Sequence, residues 1–257
     1  MKIVTLVENT CEEAGLQPEH GLSLYMETGS HKILFDMGQT ELFARNAQTL
    51  GIDLSQVDFA VLSHGHYDHG GGLEAFLRIN TKAPIYIHKQ AFGAHYNGKE
   101  KYIGLDPVLR SESRLIFTEG TVFSAPGMRL SDCNELGWEF PTWGLYRREG
   151  DGFSPDCFLH EQYLEITEGE RRILISGCSH KGIVNITEHF RPDILIGGFH
   201  LNKLEDTKLL CEIAERLKNT GTMYYTGHCT GDAQFAAMKC VMGDQLQRIT
   251  TGMTMEL

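Results

Sequence analysis

Three histidines and an aspartate fall within six residues of one another in Ser63-His64-Gly65-His66-Tyr67-Asp68-His69-Gly70-Gly71-Gly72. Imidazole and carboxylate are ligands that zinc and iron accept. In an extended loop alternate side chains share a side, so His64 and His66 can reach one ion. Asp68 and His69 follow half a turn on, where the chain begins to coil, and can reach a second ion close by. Two ions a few ångströms apart can share a hydroxide, lower its pKa and clamp an oxygen-rich substrate. Four local ligands cannot close two coordination spheres, so others must come from elsewhere in the chain.

The elements around this loop are those needed to hold it. An apolar run, Val57–Leu62, is a buried strand that delivers it, and the pattern from Leu73 to about Ile79 is the helix that follows. Earlier strands are expected at Ile3–Val7, Leu22–Glu27 and Lys32–Phe35, with Thr28-Gly29-Ser30 as a hairpin turn. A helix carries Leu42, Phe43, Ala47 and Leu50 and stops at Gly51. Later strands are expected at Pro84–His88, Arg114–Phe117, Thr121–Phe123, Phe158–Ile166, Arg172–Ser176, Asp193–Ile196, Thr222–Tyr225 and 246–250. Helices carry Ile183, Ile186 and Phe190, then Leu209 to Leu217, then Phe235, Met238 and Met242 with Asp232 as cap. Four of these strands end in a histidine-bearing loop: His64/His66/His69, His180, His200 and His228. Strand, ligand loop and helix thus recur in both halves, which predicts two βα halves meeting at one site. The stretches at about 89–110 and 133–156 lack periodicity, carry Phe92, Tyr96, Tyr102, Trp138 and Trp143, and are expected to form irregular, lid-like excursions over a single domain spanning 1–257.

Size and charge narrow the function classes. With 257 residues, 41% hydrophobic and 22% charged, the chain can bury a sizeable core. A formal net charge of −11 argues against a nucleic-acid partner. No apolar run approaches the ~20 residues that span a bilayer. Seven cysteines without paired spacings do not suggest a disulfide framework, and a cytoplasmic protein with buried thiols is expected.

His-x-His-x-Asp-His after a strand, preceded by Leu34-Phe35-Asp36-Met37-Gly38, resembles the metallo-β-lactamase superfamily. That resemblance implies an α/β, four-layer αββα sandwich with the metal site at one edge of the sheets. It also implies that Asp36 supports the metal loop from behind. Ser63–Leu73, Ile175–Asn185, Ile196–Leu201 and Gly227-His228-Cys229-Thr230-Gly231 together are similar to a subgroup named 7,8-dihydropterin-6-yl-methyl-4-(β-D-ribofuranosyl)aminobenzene 5′-phosphate synthase. Carried over residue by residue, the resemblance implies His64, His66 and His180 on one metal and Asp68, His69 and His228 on the other. Many members supply a bridging aspartate after Ser-Gly, where this chain has Cys178. Its thiolate can ligate, favouring zinc, or it is a small buried residue. His160 stands where a more usual order has a ligand, but it falls in a strand pattern that asks no role of it. His200 is expected at the site as metal ligand, substrate contact or proton donor. For His20, His31, His88, His95 and His189 a structural role is expected, His95 being the exception to watch because it lies in a lid-like stretch.

The expected cofactors are two divalent ions, zinc first, with iron or manganese as alternatives. The expected chemistry is metal-assisted hydrolysis, a hydroxide attacking an ester, amide or phosphate while Asp68 orients it. The alternative implied by the subgroup is transfer of a dihydropterin-methyl group from its pyrophosphate onto an aminobenzene ribotide 5′-phosphate. There the aromatic residues of the lid-like stretches would stack on a flat ring, and Lys99, Lys101, Arg110, Arg147 and Arg148 would meet phosphate. The expected partner is a small molecule, phosphorylated or pterin-like, with no membrane partner and a homodimer left open. A redox or sensing di-iron protein is disfavoured, because such members place glutamate where this chain has His66.

Overall fold

The structure is a computed structural model describing residues 1–257, the side chains at 123 and 124 excepted. Its plan follows from the alternation of apolar residues along strands buried on both faces. One seven-stranded sheet runs, edge to edge, Thr254–Glu256, Lys2–Val7, Ser23–Glu27, Lys32–Phe35, Phe59–Leu62, Ile85–His88 and Leu115–Thr118. The second runs Leu246–Arg248, Met223–Thr226, Ile194–Ile196, Arg171–Ile175, Tyr163–Glu168, Met128–Ser131 and Thr121–Ala125.

Successive side chains sort into different apolar layers. Ile33, Phe35, Phe59 and Val61 meet Leu164, Ile173, Ile175, Ile194 and Ile196 between the two sheets. Their neighbours Leu34, Ala60 and Leu62 face outward, where Leu42, Phe43 and Ala47 of helix Leu42–Thr49 and Leu73 and Phe76 of helix Leu73–Ile79 cover them. On the far side Tyr163, Leu174, Leu195 and Tyr224 are covered by helices Ile183–Phe190, Thr207–Lys218 and Asp232–Met242. Three apolar layers thus separate four layers of backbone, the αββα sandwich. None of the described helices is long and apolar enough to cross a membrane.

The strands that deliver ligand loops are parallel neighbours. Lys32–Phe35, Phe59–Leu62 and Ile85–His88 run parallel in the first sheet; Arg171–Ile175, Ile194–Ile196 and Met223–Thr226 do so in the second. Loops after parallel strands emerge at one edge, so Asp36, the 63–72 loop, Cys178-Ser179-His180, His200 and His228 are gathered there.

Several expectations change. The two aperiodic stretches are not irregular: Ala94–Asn97, Lys101–Tyr102, Leu145–Glu149 and Gly152–Pro155 pair with each other as a third, four-stranded antiparallel sheet. Two short hairpins with exposed polar residues, joined only by a pairing some 50 residues apart, leave no local period to read. The expected strand 158–166 begins only at Tyr163. Phe158 has φ +49° and Gln162 bonds the backbone of Leu62 and Ser63, so this segment crosses the strand ends instead of joining them. Asp232 opens its helix but makes no side-chain cap. A last strand, Thr254–Glu256, unnoticed in the sequence, returns to pair with Lys2–Val7 in the first sheet.

The edge is packed tightly enough that two of its glycines are obligatory. A Cβ on Gly65 would collide with the Ala91 carbonyl, and one on Gly177 with the Ser63 side chain. Gly65→Ala is expected to lower stability by about 1–3 kcal/mol, the usual cost of forcing extra volume into a packed site; urea unfolding of the variant beside the parent protein measures it.

Candidate metal centre

The centre is built on a buried carboxylate that touches no solvent. Asp36 leaves its strand with φ +56°, a left-handed conformation that aims its side chain back under the next strand's end. Oδ1 accepts the Ser63 N–H at 2.7 Å; Oδ2 accepts the Ser63 hydroxyl at 2.7 Å and His69 Nδ1–H at 2.6 Å. Ser63 Oγ then takes His64 Nδ1–H at 2.8 Å. These bonds fix two tautomers at once: His64 and His69 both present a bare Nε2.

His228 is fixed in the same way from a distant part of the chain. Asn9 donates to the His228 carbonyl at 3.1 Å and its Oδ1 takes His228 Nδ1–H at 3.0 Å, while Glu8 accepts the His228 N–H. His228 Nε2 is therefore bare as well. It faces His69 Nε2 at 3.2 Å and Asp68 Oδ2 at 3.4 Å. Across the cleft, His64 Nε2 lies 3.0 Å from His66 Nδ1 and 3.3 Å from His180 Nε2. Where both nitrogens are bare, as in His69 and His228, the two lone pairs face each other and make no hydrogen bond. It is the arrangement a cation between them would satisfy, so the donor set fits divalent metal ions.

Cys178 sits between the two sets. Its Sγ is 3.1 Å from His69 Nε2, and it falls within 4.8 Å groupings both with His64 and His180 and with His69 and His228. Burial pushes the free thiol well above its ordinary range, and a bound ion would strip its proton. His200 adjoins this wall, its ring centroid 4.2 Å from that of His180, with both ring nitrogens buried and unpartnered.

Burial, and then the neighbouring imidazoles, hold His64, His66 and His180 well below the usual histidine range, so they are neutral and able to donate at pH 7. For His69 burial pulls down but the Asp36 carboxylate outweighs it and the net shift is upward. Burial likewise opposes ionisation of Asp68, yet the neighbouring His20 and His228 imidazoles hold its carboxyl well below the ordinary range. Asp68 enters this centre as a carboxylate.

The structure corrects three assignments and adds several residues. His20 is not a bystander: its Nε2 lies 3.2 Å from Asp68 Oδ2. His160 is neither half-exposed nor in a strand. It is buried to 1% exposure, and its Nδ1 accepts the Gly65 N–H at 2.9 Å. His95 is buried too, donating to Asp156 Oδ2 at 2.7 Å. Asp156, His95, His160 and His66 form one buried cluster, in which Asp156 lies 3.4 Å from His160 without a well-directed hydrogen bond. Burial opposes it, but His160 and His95 keep the Asp156 carboxyl far below its ordinary value. Glu161, the residue after His160, accepts the backbone N–H groups of His180 and Lys181 and the Tyr163 hydroxyl. The ligand loops are thus backed by buried carboxylates, Asp36, Glu8, Asp156 and Glu161, of which only the first carried a sequence signal. An acidic residue directly after an apolar strand, as at Glu8, and the Asp156-x-x-x-His160-Glu161 spacing are the marks that could have shown the others. His31 and His189 lie away from the centre, and His88 binds buried Asp132 at 3.1 Å.

The backbone is held in costly conformations at the same places. Asp36, Ser179, His200 and His228 have φ between +47° and +57°, each of order 1–3 kcal/mol for a residue with a side chain. Asp36→Asn keeps a residue that tolerates this backbone but removes the charge behind His69. Metal affinity is expected to fall about 10–100-fold with the fold retained, as read by chelator competition beside circular dichroism.

The cleft over these residues, about 140 Å³, is lined on its outer lips by Asn97 and Lys101 from the third sheet and by Asn202 and Lys203 after His200. Lys101 Nζ donates to Tyr67 OH and Lys203 Nζ to the Trp143 carbonyl, so both ammonium groups rest on neutral acceptors. Beyond His180 and His200 lies a second cavity of about 230 Å³, walled by Phe140, Trp143, Phe199 and Leu204.

Comparison with known proteins agrees with this geometry. Residues 16–200 match the family model of the metallo-beta-lactamase superfamily. The chain is 30% identical over 259 aligned residues to the 7,8-dihydropterin-6-methyl-4-(beta-D-ribofuranosyl)-aminobenzene-5'-phosphate synthase of Methanocaldococcus jannaschii, covering 90% of this chain and 88% of that protein. An uncharacterized protein of the same organism is 33% identical over 246 residues, covering 89% and 90%. Among solved structures Tm1679, described as a metal-dependent hydrolase of the beta-lactamase superfamily, superposes with a TM-score of 0.86 at 30% identity, covering 100% of this chain and 99% of that one. With its ligand loops, its sandwich and these relatives in agreement, the chain belongs to the metallo-β-lactamase superfamily.

Proposed function

We propose that this chain is a two-metal hydrolase acting on a small phosphorylated molecule. The observation that carries this reading is the pair of facing sets of buried ligand side chains, His64/His66/His180 and His69/His228 with Asp68, joined by Cys178. The bound ions, zinc by the thiolate and imidazole set, would supply Lewis acidity to water and to the substrate's oxygens. The residues do the rest. Asp68, a carboxylate beside His20 and His228, would orient a water molecule admitted between the two sets. Cys178, grouped with both sets, would stand where a bridging carboxylate is otherwise expected and would bring one negative charge. His200, with free ring nitrogens, donates to the leaving oxygen. Lys101 and Lys203, resting on neutral partners in a protein of net charge −11, mark where an anionic group would lie.

A second reading, condensation of a dihydropterin-methyl pyrophosphate with an aminobenzene ribotide 5′-phosphate, is favoured by the M. jannaschii relative and by the aromatic cavity behind His180 and His200. In it the same ligand set would steady a departing pyrophosphate, and Phe140 and Trp143 would pack against a flat ring. We take the chain to act as one domain, with the third sheet over the cleft setting its substrate.

The reconstituted zinc protein is to be assayed on phosphate mono- and diesters and on the two-substrate pterin reaction. Release of phosphate or alcohol without the ribotide supports hydrolysis; product formed only with both substrates moves the assignment to the synthase. Inactivity on every member of the panel with fully loaded zinc, manganese and iron forms would sink both. His66→Ala is expected to remove about one equivalent of metal and most activity, because one coordination sphere is opened; elemental analysis checks it. Lys101→Ala and Lys203→Ala are each expected to raise KM for a phosphorylated substrate roughly tenfold or more with kcat little changed, the loss of one charge-assisted hydrogen bond.

A further inference from the structure

Cys229 is left without a role by the two-metal reading, His200 has there only a proton to donate from one ring nitrogen, and both lie against Cys178. Cys229 Sγ, Cys178 Sγ and a His200 ring nitrogen lie within 4.8 Å of one another, and all three residues line the cleft. We propose that Cys178, His200 and Cys229 form a third metal position, sulfur-rich and open to the cleft, which takes a soft divalent ion. It rests on the two-metal reading for Cys178, shares His200 with it through the other ring nitrogen, and adds Cys229.

Four observations carry it. The His200 ring has both nitrogens buried without a hydrogen-bond partner, a costly state for a polar group that a ligand would relieve. The backbone at His200 is held at φ +50°, so the ring is kept in this orientation against its local preference. The Cys229 sulfur is brought in deliberately: a Cβ on Gly198 would collide with it, so only glycine there lets the thiol lie against the loop that bears His200. The same sulfur accepts the His200 N–H at 3.3 Å, a contact that suits a thiolate acceptor.

The chemistry is consistent with these positions. Two thiolates and one imidazole are a soft donor set, suited to zinc or cadmium and poorly suited to manganese or magnesium. The Cys229 thiolate would offset half of the third ion's charge, and Cys178 would be shared with the other two positions. Cys178 would then bridge, as sulfur can. The fourth position faces the cleft, where water or a substrate atom can enter. The other cysteines, Cys11, Cys133, Cys157, Cys211 and Cys240, belong to no such group among the described residues.

The metal-free, reduced protein is to be titrated with cadmium, following the ultraviolet absorption of cadmium–thiolate bonds and counting ions by native mass spectrometry. Wild type is expected to take three ions per chain. Cys229→Ala is expected to take two and to lose about half the thiolate absorption. His200→Ala should weaken the third ion while keeping most of that absorption. Cys229→Ser, closer in size, guards against a variant that fails to fold and should behave as Cys229→Ala does. The proposal is overturned if wild type stops at two ions, or if replacing Cys229 changes neither count nor absorption. A failure of the two-metal reading looks different: His66→Ala would then leave the ion count unchanged while the Cys229-dependent absorption persisted.

Discussion

The centre depends on one buried carboxylate making three hydrogen bonds. Asp36 ties the end of its own strand to the next strand's Ser63 and to His69, and through Ser63 to His64. Everything the ligand loop does follows from that anchoring. Without it neither imidazole would have a defined bare nitrogen, and the ring orientations would be free. Because Asp36 is fully buried and charged, its partners must be in place before it is tolerable there. The anchoring therefore makes the fold of the first sheet's edge and the readiness of the metal site one event.

The same logic recurs with different groups at each loop. Glu8 and Asn9 hold His228, Glu161 holds the backbone of His180 and Lys181, and Asp156 lies behind His66 and His160. Ligand identity and ligand orientation are thus divided between separate residues, often far apart in sequence. The αββα frame serves this division by bringing the ends of two sets of parallel strands to one edge, where short loops leave little freedom.

What could be read in the sequence was whatever has a local period or a local motif. The alternation in Lys32–Phe35 and Phe59–Leu62, the ligand loop, and the glycine-flanked His180, His200 and His228 were all visible, and the structure brings them to one place. The third sheet was invisible because its two short hairpins carry little apolar pattern and are joined to each other only by a pairing across some 50 residues. His160 and His95 were misjudged for a related reason. Their burial comes from Asp156 and from the loop of Gly65, contacts that no neighbouring residue announces. Cys229 stood inside a motif that was noticed for its histidine alone. Side chains that act through tertiary neighbours have no signature of their own; only those that act in a local constellation do.

The pairing of Thr254–Glu256 with Lys2–Val7 has a consequence for how the protein is made. The first strand ends in Glu8, which bonds Thr251 as well as His228 and so joins groups more than 200 residues apart. A chain emerging from the ribosome holds the His64–His69 loop long before it holds His228 or Thr251. Until His228 and Thr251 have both emerged, Glu8 has no partners and the His228 half of the centre has no orientation. Contacts of such long sequence separation close slowly, since chain entropy must be lost before they are gained. Orientation of His228 is thereby coupled to closure of the first sheet by its Thr254–Glu256 strand.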